Sequence, residues 1–172
     1  MAIRAVRADD FTSITAITNH YITTSSIHFA YEPVAEADLR AMWERSRDRH
    51  PWLVTEDGGE VLGYAKSGVW RDRAAYHWTC EVGLYIADAA RGRGLGRTLY
   101  AALLDDCQRR GFRSAVAGIT LPNDASIALH ERCGFTRVGT FADAGWKNGA
   151  WHDVAWFQRA LGPSGTEPNP LR

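Results

Sequence analysis

Six consecutive residues, Arg91-Gly92-Arg93-Gly94-Leu95-Gly96, interleave cations with glycines just ahead of an apolar helical pattern. Glycine admits backbone conformations that a side chain would forbid, so several N–H groups and a helix N-terminus can converge there on one anion. Pyrophosphate is the expected ligand. The order of residues fits neither GxGxxG nor GxxxxGK[ST], which removes the dinucleotide fingerprint and the nucleoside-triphosphate loop. A second cationic segment, Trp70-Arg71-Asp72-Arg73-Ala74-Ala75-Tyr76, would place Arg71 and Arg73 on one side if the chain is locally extended. Paired guanidinium forks suit a carboxylate or an oxyacid. Cys80, Cys107 and Cys133 are widely spaced and form no CxxC pair, so neither a metal site nor a disulfide framework is expected.

These groups need a scaffold, and the hydrophobic periodicity supplies one. Met1 to Arg7 alternates and reads as a first strand. Phe11, Ile14, Ile17 and Tyr21 follow an N-cap at Asp9 or Asp10 with helical spacing, and a second helix after Pro33 carries Leu39, Met42 and Trp43 on one stripe. Residues 52–55 and 61–65, joined by Glu56-Asp57-Gly58-Gly59, predict a hairpin. Beyond it the order becomes strand 78–86, helix 94–110, strand 115–121 and a helix opened by Asn123 and stopped by Gly134. Residues 136–141 and 151–161 are the last predicted strands. The glycine-rich turn therefore sits between a strand and a helix, where an anion site must be.

The chain has 172 residues, within the range of one domain with its own core. Residues 1–161 are expected to form that domain, and 162–172, rich in proline and glycine, a flexible tail. Lys plus Arg is 20 and Asp plus Glu is 20, so 20 − 20 leaves no excess cation for a nucleic-acid surface. Hydrophobic content of 45% with 23% charged residues excludes a disordered or fibrous chain. No apolar run is long enough for a membrane span or a secretory signal, so the cytoplasm is the expected compartment.

The Arg-x-x-Gly-x-Gly turn, followed by Asn123-x-x-Ser126-Ile127-x-Leu129-His130-x-x-x-Gly134-Phe135, resembles the GNAT acetyltransferase superfamily. Asn19-His20-Tyr21-Ile22, Pro51-Trp52-Leu53-Val54, Trp78-Thr79-x-Glu81, Leu121-Pro122-Asn123-Asp124 and Trp151-His152-Asp153-Val154 narrow the resemblance to its phosphinothricin, methionine sulfoximine and arsinothricin N-acetyltransferase branch, over nearly the whole chain. The resemblance implies an α/β fold: a mixed, mainly antiparallel sheet flanked by helices, with a V-shaped cleft for acetyl-CoA between the strands ending at Ile86 and Leu121. It implies direct acetyl transfer from acetyl-CoA to the α-amino group of a small amino acid, without a metal, in a homodimer with the site near the interface.

The same resemblance distributes roles. Cofactor contacts fall on Leu84, Tyr85, Ile86, Arg91, Gly92, Arg93, Gly94, Leu95, Gly96, Arg97, Asn123 and Ser126, with a backbone N–H near Leu84 to Ile86 as oxyanion donor. An amine is acylated only as its free base, and Glu81, beside the turn, is the candidate proton acceptor. His130 stands where many members carry a tyrosine that protonates the departing thiolate, and a free imidazole can act as acid, base or orienting group near neutral pH. Phe29, Arg71, Arg73 and Tyr76 are the candidate substrate contacts. Two rivals stand beside this reading: an acetyltransferase of protein N-termini or another small amine, and a non-catalytic acyl-CoA-binding module. The first would leave the arginine pair without a task, and retention of Glu81 and His130 argues against the second.

Overall fold

The computed structural model describes residues 1–163 and 165–168. Strands β1 (Ala2–Ala5), β2 (Trp52–Asp57), β3 (Glu60–Val69), β4 (Thr79–Ile86), β5 (Ser114–Thr120), β6 (Thr136–Lys147) and β7 (Ala150–Ala160) form one sheet in the order β1-β2-β3-β4-β5-β7-β6. Every neighbouring pair is antiparallel except β4 with β5. Helices α1 (Phe11–Thr24) and α2 (Glu36–Ser46) cover one face of the sheet, and α3 (Leu95–Arg109) the other, with α4 (Asp124–Arg132) beside α3.

Strand periodicity makes the two cores separate. Trp52, Val54 and Tyr64 point to one face and join Phe11, Ile14, Tyr21, Leu39 and Trp43. Leu53, Ala65, Cys80 and Val82 point to the other and join Leu95, Leu99, Leu103, Cys107 and Phe157. The expected hairpin and the strand-helix-strand-helix run are present within one to four residues of their anticipated ends.

The last hairpin differs more. The sixth strand continues to Lys147 instead of ending at Phe141, and Asn148-Gly149, at φ 52° and 75°, turns it directly into β7. Positive φ at both central residues is the turn geometry that matches strand twist in a two-residue hairpin, and Asn-Gly is its strongest sequence signal. Register shifts at Arg137/Gly139 and Phe141/Gly145 break the alternation of β6, which explains why periodicity stopped short.

Within the expected tail 162–172, residues 164 and 169–172 lie outside the described residues. Arg113 donates hydrogen bonds to the Pro163 carbonyl and to Thr166 Oγ1. Among the described residues, no helix is long and apolar enough to cross a membrane, and no group of three or more His, Cys, Asp or Glu could hold a metal ion.

Candidate active site

The parallel pair in the sheet is short. β4 meets β5 only where Thr79, Cys80 and Glu81 pair with Ser114, Ala115 and Val116. Past Glu81 the strands part, and the wedge opens into a cleft of about 710 Å³. Its walls are Leu84, Tyr85 and Ile86 on one strand, residues 90–92 and 94–97 of the turn, and Asn123 at the start of α4 with Ser126 and Leu129 along it. Tyr21 holds the rim: its hydroxyl donates to the Ile86 carbonyl at 2.7 Å, while Arg91 Nε donates to that hydroxyl at 3.3 Å.

The turn owes its shape to two glycines. Gly92 and Gly94 sit at φ 74° and 76°, and Gly94 is the N-cap of α3. Such left-handed backbone disfavours any residue with a Cβ. Nothing lies within 4 Å of the space a Cβ would occupy on either, so the turn is open to a ligand. Gly96, in the first turn of α3, has ordinary φ and also lines the cleft. Free amides in the first turn of a helix complete a cradle that fits a pyrophosphate. Arg97 lines the cleft, but Arg93 does not: its guanidinium turns back to Asp57 at 3.7 Å. Asn123 Oδ1 accepts from the Ser126 N–H at 3.1 Å and so caps α4, while the residue also lines the cleft.

Glu81 and His130 are not brought face to face. Glu81 keeps access to solvent, yet the protein around it raises its carboxyl above the ordinary carboxylate range, against the opposing pull of Lys66 and Arg71. His130 is buried, 6% exposed, among Tyr100, Phe135 and Phe157, and is not among the cleft-lining residues. Its Nδ1 lies 2.7 Å from the Ser126 carbonyl, which can only accept, so Nδ1 carries the proton. Nε2, 2.9 Å from Tyr100 Oη, then accepts from that hydroxyl. Burial lowers the His130 pKa, although the Ser126 bond opposes this. Both nitrogens are engaged one residue layer behind the cleft.

The substrate candidates separate as well. Arg71 and Tyr76 line a smaller cavity of about 200 Å³ with Arg49, His50, His77 and Thr79. Arg73 does not line it; in extended backbone at φ −70° and ψ 135°, it stands just ahead of the 3-10 turn Ala74–Tyr76, and its carbonyl accepts the Tyr76 N–H at 2.9 Å. Phe29, 36% exposed, rests over the backbone of Gly145 and beside His152 at 6.3 Å. Tyr21, Ile27, Leu129 and Arg132 line the large cleft and were not singled out by sequence reasoning. Tyr21 was legible as a core position on the apolar stripe of α1 and as part of a segment carrying the resemblance, not as a cleft residue.

A family model described as acetyltransferase (GNAT) family matches residues 14–135. The chain is similar to a phosphinothricin N-acetyltransferase of Streptomyces viridochromogenes, 46% identical over 170 residues that cover 99% of this chain and 92% of that protein. It is also similar to an L-methionine sulfoximine/L-methionine sulfone acetyltransferase of Salmonella typhimurium, at 37% identity over 94% of this chain and 95% of the relative. Among solved structures, a phosphinothricin acetyltransferase from Sinorhizobium meliloti in complex with acetyl-CoA superposes with a TM-score of 0.94, at 33% identity, over 98% of this chain and 92% of that one.

Proposed function

The chain belongs to the GNAT acetyltransferase family, and from that premise we propose that it moves an acetyl group from acetyl-CoA to the α-amino group of a small amino acid such as phosphinothricin, methionine sulfoximine, methionine sulfone or arsinothricin. The observation that carries this reading is the parting of β4 and β5 immediately after Glu81, which opens a cleft whose far wall is the glycine turn; Glu81 ends the paired stretch and, like His130, is not itself among the residues lining the cleft. Acetyl-CoA supplies the activated acetyl thioester. The turn 91–96 and the first amides of α3 hold its pyrophosphate, and Asn123 and Ser126 flank the arm leading inward.

Glu81 takes the proton from the substrate ammonium, because only the free amine carries the lone pair that attacks. Its raised pKa brings it closer to an amine than an ordinary carboxylate would be. Backbone N–H groups of β4 on the cleft side, past the last β5 pairing, stand ready to stabilise the carbonyl oxygen as it gathers charge. In this reading Arg71 and Tyr76, which line one cavity, hold an anionic part of the amino acid, and the partly exposed Phe29 supplies an apolar wall. His130 is a positioning residue: through Ser126 and Tyr100 it ties α4 to the core and so fixes the wall carrying Asn123 and Ser126.

A homodimer fits this reading. The twelve-residue edge strand β6 has one unpaired side, and Val138, Phe141 and Trp146 on it, with Trp151 on β7, are exposed. Long exposed edges with apolar side chains invite pairing. All three cysteines are free and buried, which suits the reducing cytoplasm. Thiol release from acetyl-CoA, measured with a panel of amino acids and an N-terminal peptide, tests the function. Release with methionine sulfone or phosphinothricin alone supports it, and release only with the peptide, or with nothing, sinks it.

A further inference from the structure

The turn of the β6–β7 hairpin reaches across the molecule to residues far away in sequence. Lys147 is 3% exposed, and its ammonium donates to the Ile22 carbonyl and the His28 carbonyl, each at 2.6 Å. Ile22 lies in the last turn of α1, where carbonyls have no partner within the helix and a cation is favoured. His28 lies in the loop between α1 and α2, next to Phe29. No carboxylate stands within 4 Å of Lys147 among the described residues, and burial lowers its pKa. Its hydrogen bonds are therefore spent on those two carbonyls.

Three neighbours reinforce the contact. The Tyr31 hydroxyl donates to the Trp146 carbonyl, and Asn148 Nδ2 donates to Ser26 Oγ at 3.1 Å. A Cβ on Gly145 would overlap the Phe29 ring, so the absence of a side chain there lets the ring lie on the strand. Four consecutive residues, 145–148, thus grip the segment from Ile22 to Tyr31. That segment makes no strand or helix of its own after α1 ends. His28 in turn sits 6.0 Å from Tyr85, on the strand that carries Glu81.

We propose that Lys147 is a positioning residue which, with Gly145, fixes the 26–31 loop and thereby sets the amino-acid end of the active site, with a smaller effect on the acetyl-CoA end, which this loop meets only through Ile27. The inference rests on the reading that Phe29 faces the amino-acid substrate. Lys147→Met keeps the length of the stem and removes both hydrogen bonds. Gly145→Ala pushes the Phe29 ring and leaves Lys147 in place. Both variants should raise KM for the amino acid several-fold, and by clearly more than they raise KM for acetyl-CoA.

Limited chymotrypsin digestion reads the same loop without turnover: Lys147→Met should be cut after Phe29 or Tyr31 several times faster than wild type. Unchanged amino-acid KM in Gly145→Ala, or equal losses for both substrates in Lys147→Met with the cleavage rate at Phe29 and Tyr31 unaltered, overturns the proposal. If wild type acetylates no amino acid, the proposed function fails separately. The cleavage rates then still decide whether Lys147 holds the loop.

Discussion

Glu81 and His130 carry opposite expectations although both are titratable groups near one cleft. With the Glu81 carboxyl raised, its base form is lost as pH falls through a pKa above the ordinary carboxylate value. The acid limb of kcat/KM for the amino acid should follow that titration, rising with pH. Glu81→Gln should abolish this limb and lower kcat on the order of 10²-fold, a usual contribution of general base catalysis; stopped-flow or steady-state profiles from pH 5 to 9 check both. His130→Ala should instead leave the limb where it is. Its cost is structural: it strands the Tyr100 hydroxyl, removes the side-chain bond to the Ser126 carbonyl and opens the core, so stability should drop by about 1–3 kcal/mol in chemical denaturation. A displaced pH optimum in His130→Ala would restore a proton-transfer role.

The turn from β4 to α3 separates conformational from steric reasons for glycine. Gly94, at φ 76°, should not accept alanine without strain, and Gly94→Ala should lose about 1–2 kcal/mol of stability in the free protein. Gly96 has no such restriction, and a Cβ there would meet the Leu129, Leu84 and Ile86 side chains at 3.5, 3.6 and 3.9 Å, all ordinary contacts. Gly96→Ala should therefore fold like wild type and weaken only acetyl-CoA binding, as isothermal titration would report. The sequence carried this turn plainly, because its glycines follow an apolar strand and precede a helical stripe.

It carried the strand-helix order as well, since each buried face has its own period. What escaped was long-range. Residues 136–147 are exposed over most of their length and contain Gly139 and Gly145, so no alternation marks the strand, although the Asn148-Gly149 pair was there to be read. The direction of Arg93 toward Asp57 and the burial of His130 depend on packing between elements distant in the chain, which spacing does not encode.

Across the whole molecule, the clearest pH dependence of stability belongs to a residue outside the large cleft. His50 is buried and, by loss of solvation, with help from Arg49 and Arg110, has its pKa pushed down to about 4 from 6.5. An unfolded chain takes up that proton below pH 6.5, whereas the folded one resists until about pH 4. Stability from this group is complete above pH 6.5 and drains away as pH falls through that window, by about 3 kcal/mol in all. Urea denaturation at pH 7 and at pH 4.5 should show this difference, and His50→Gln should shrink it. Equal shrinkage absent, the loss must come from other groups.

The brevity of the β4–β5 pairing has a consequence for how the backbone meets solvent. Three residues of each strand share a ladder, and beyond Glu81 and Val116 the edges that face the gap have no partner strand. Amide protons on those edges are open to exchange with deuterium even while the rest of the sheet is closed, since β3 and β7 cover only the outer sides of the two strands. A thioester arm lying in the gap would occupy them in place of the missing ladder. The free protein thus holds a seam of fast-exchanging hydrogens through the middle of its sheet, and filling the cleft should silence it.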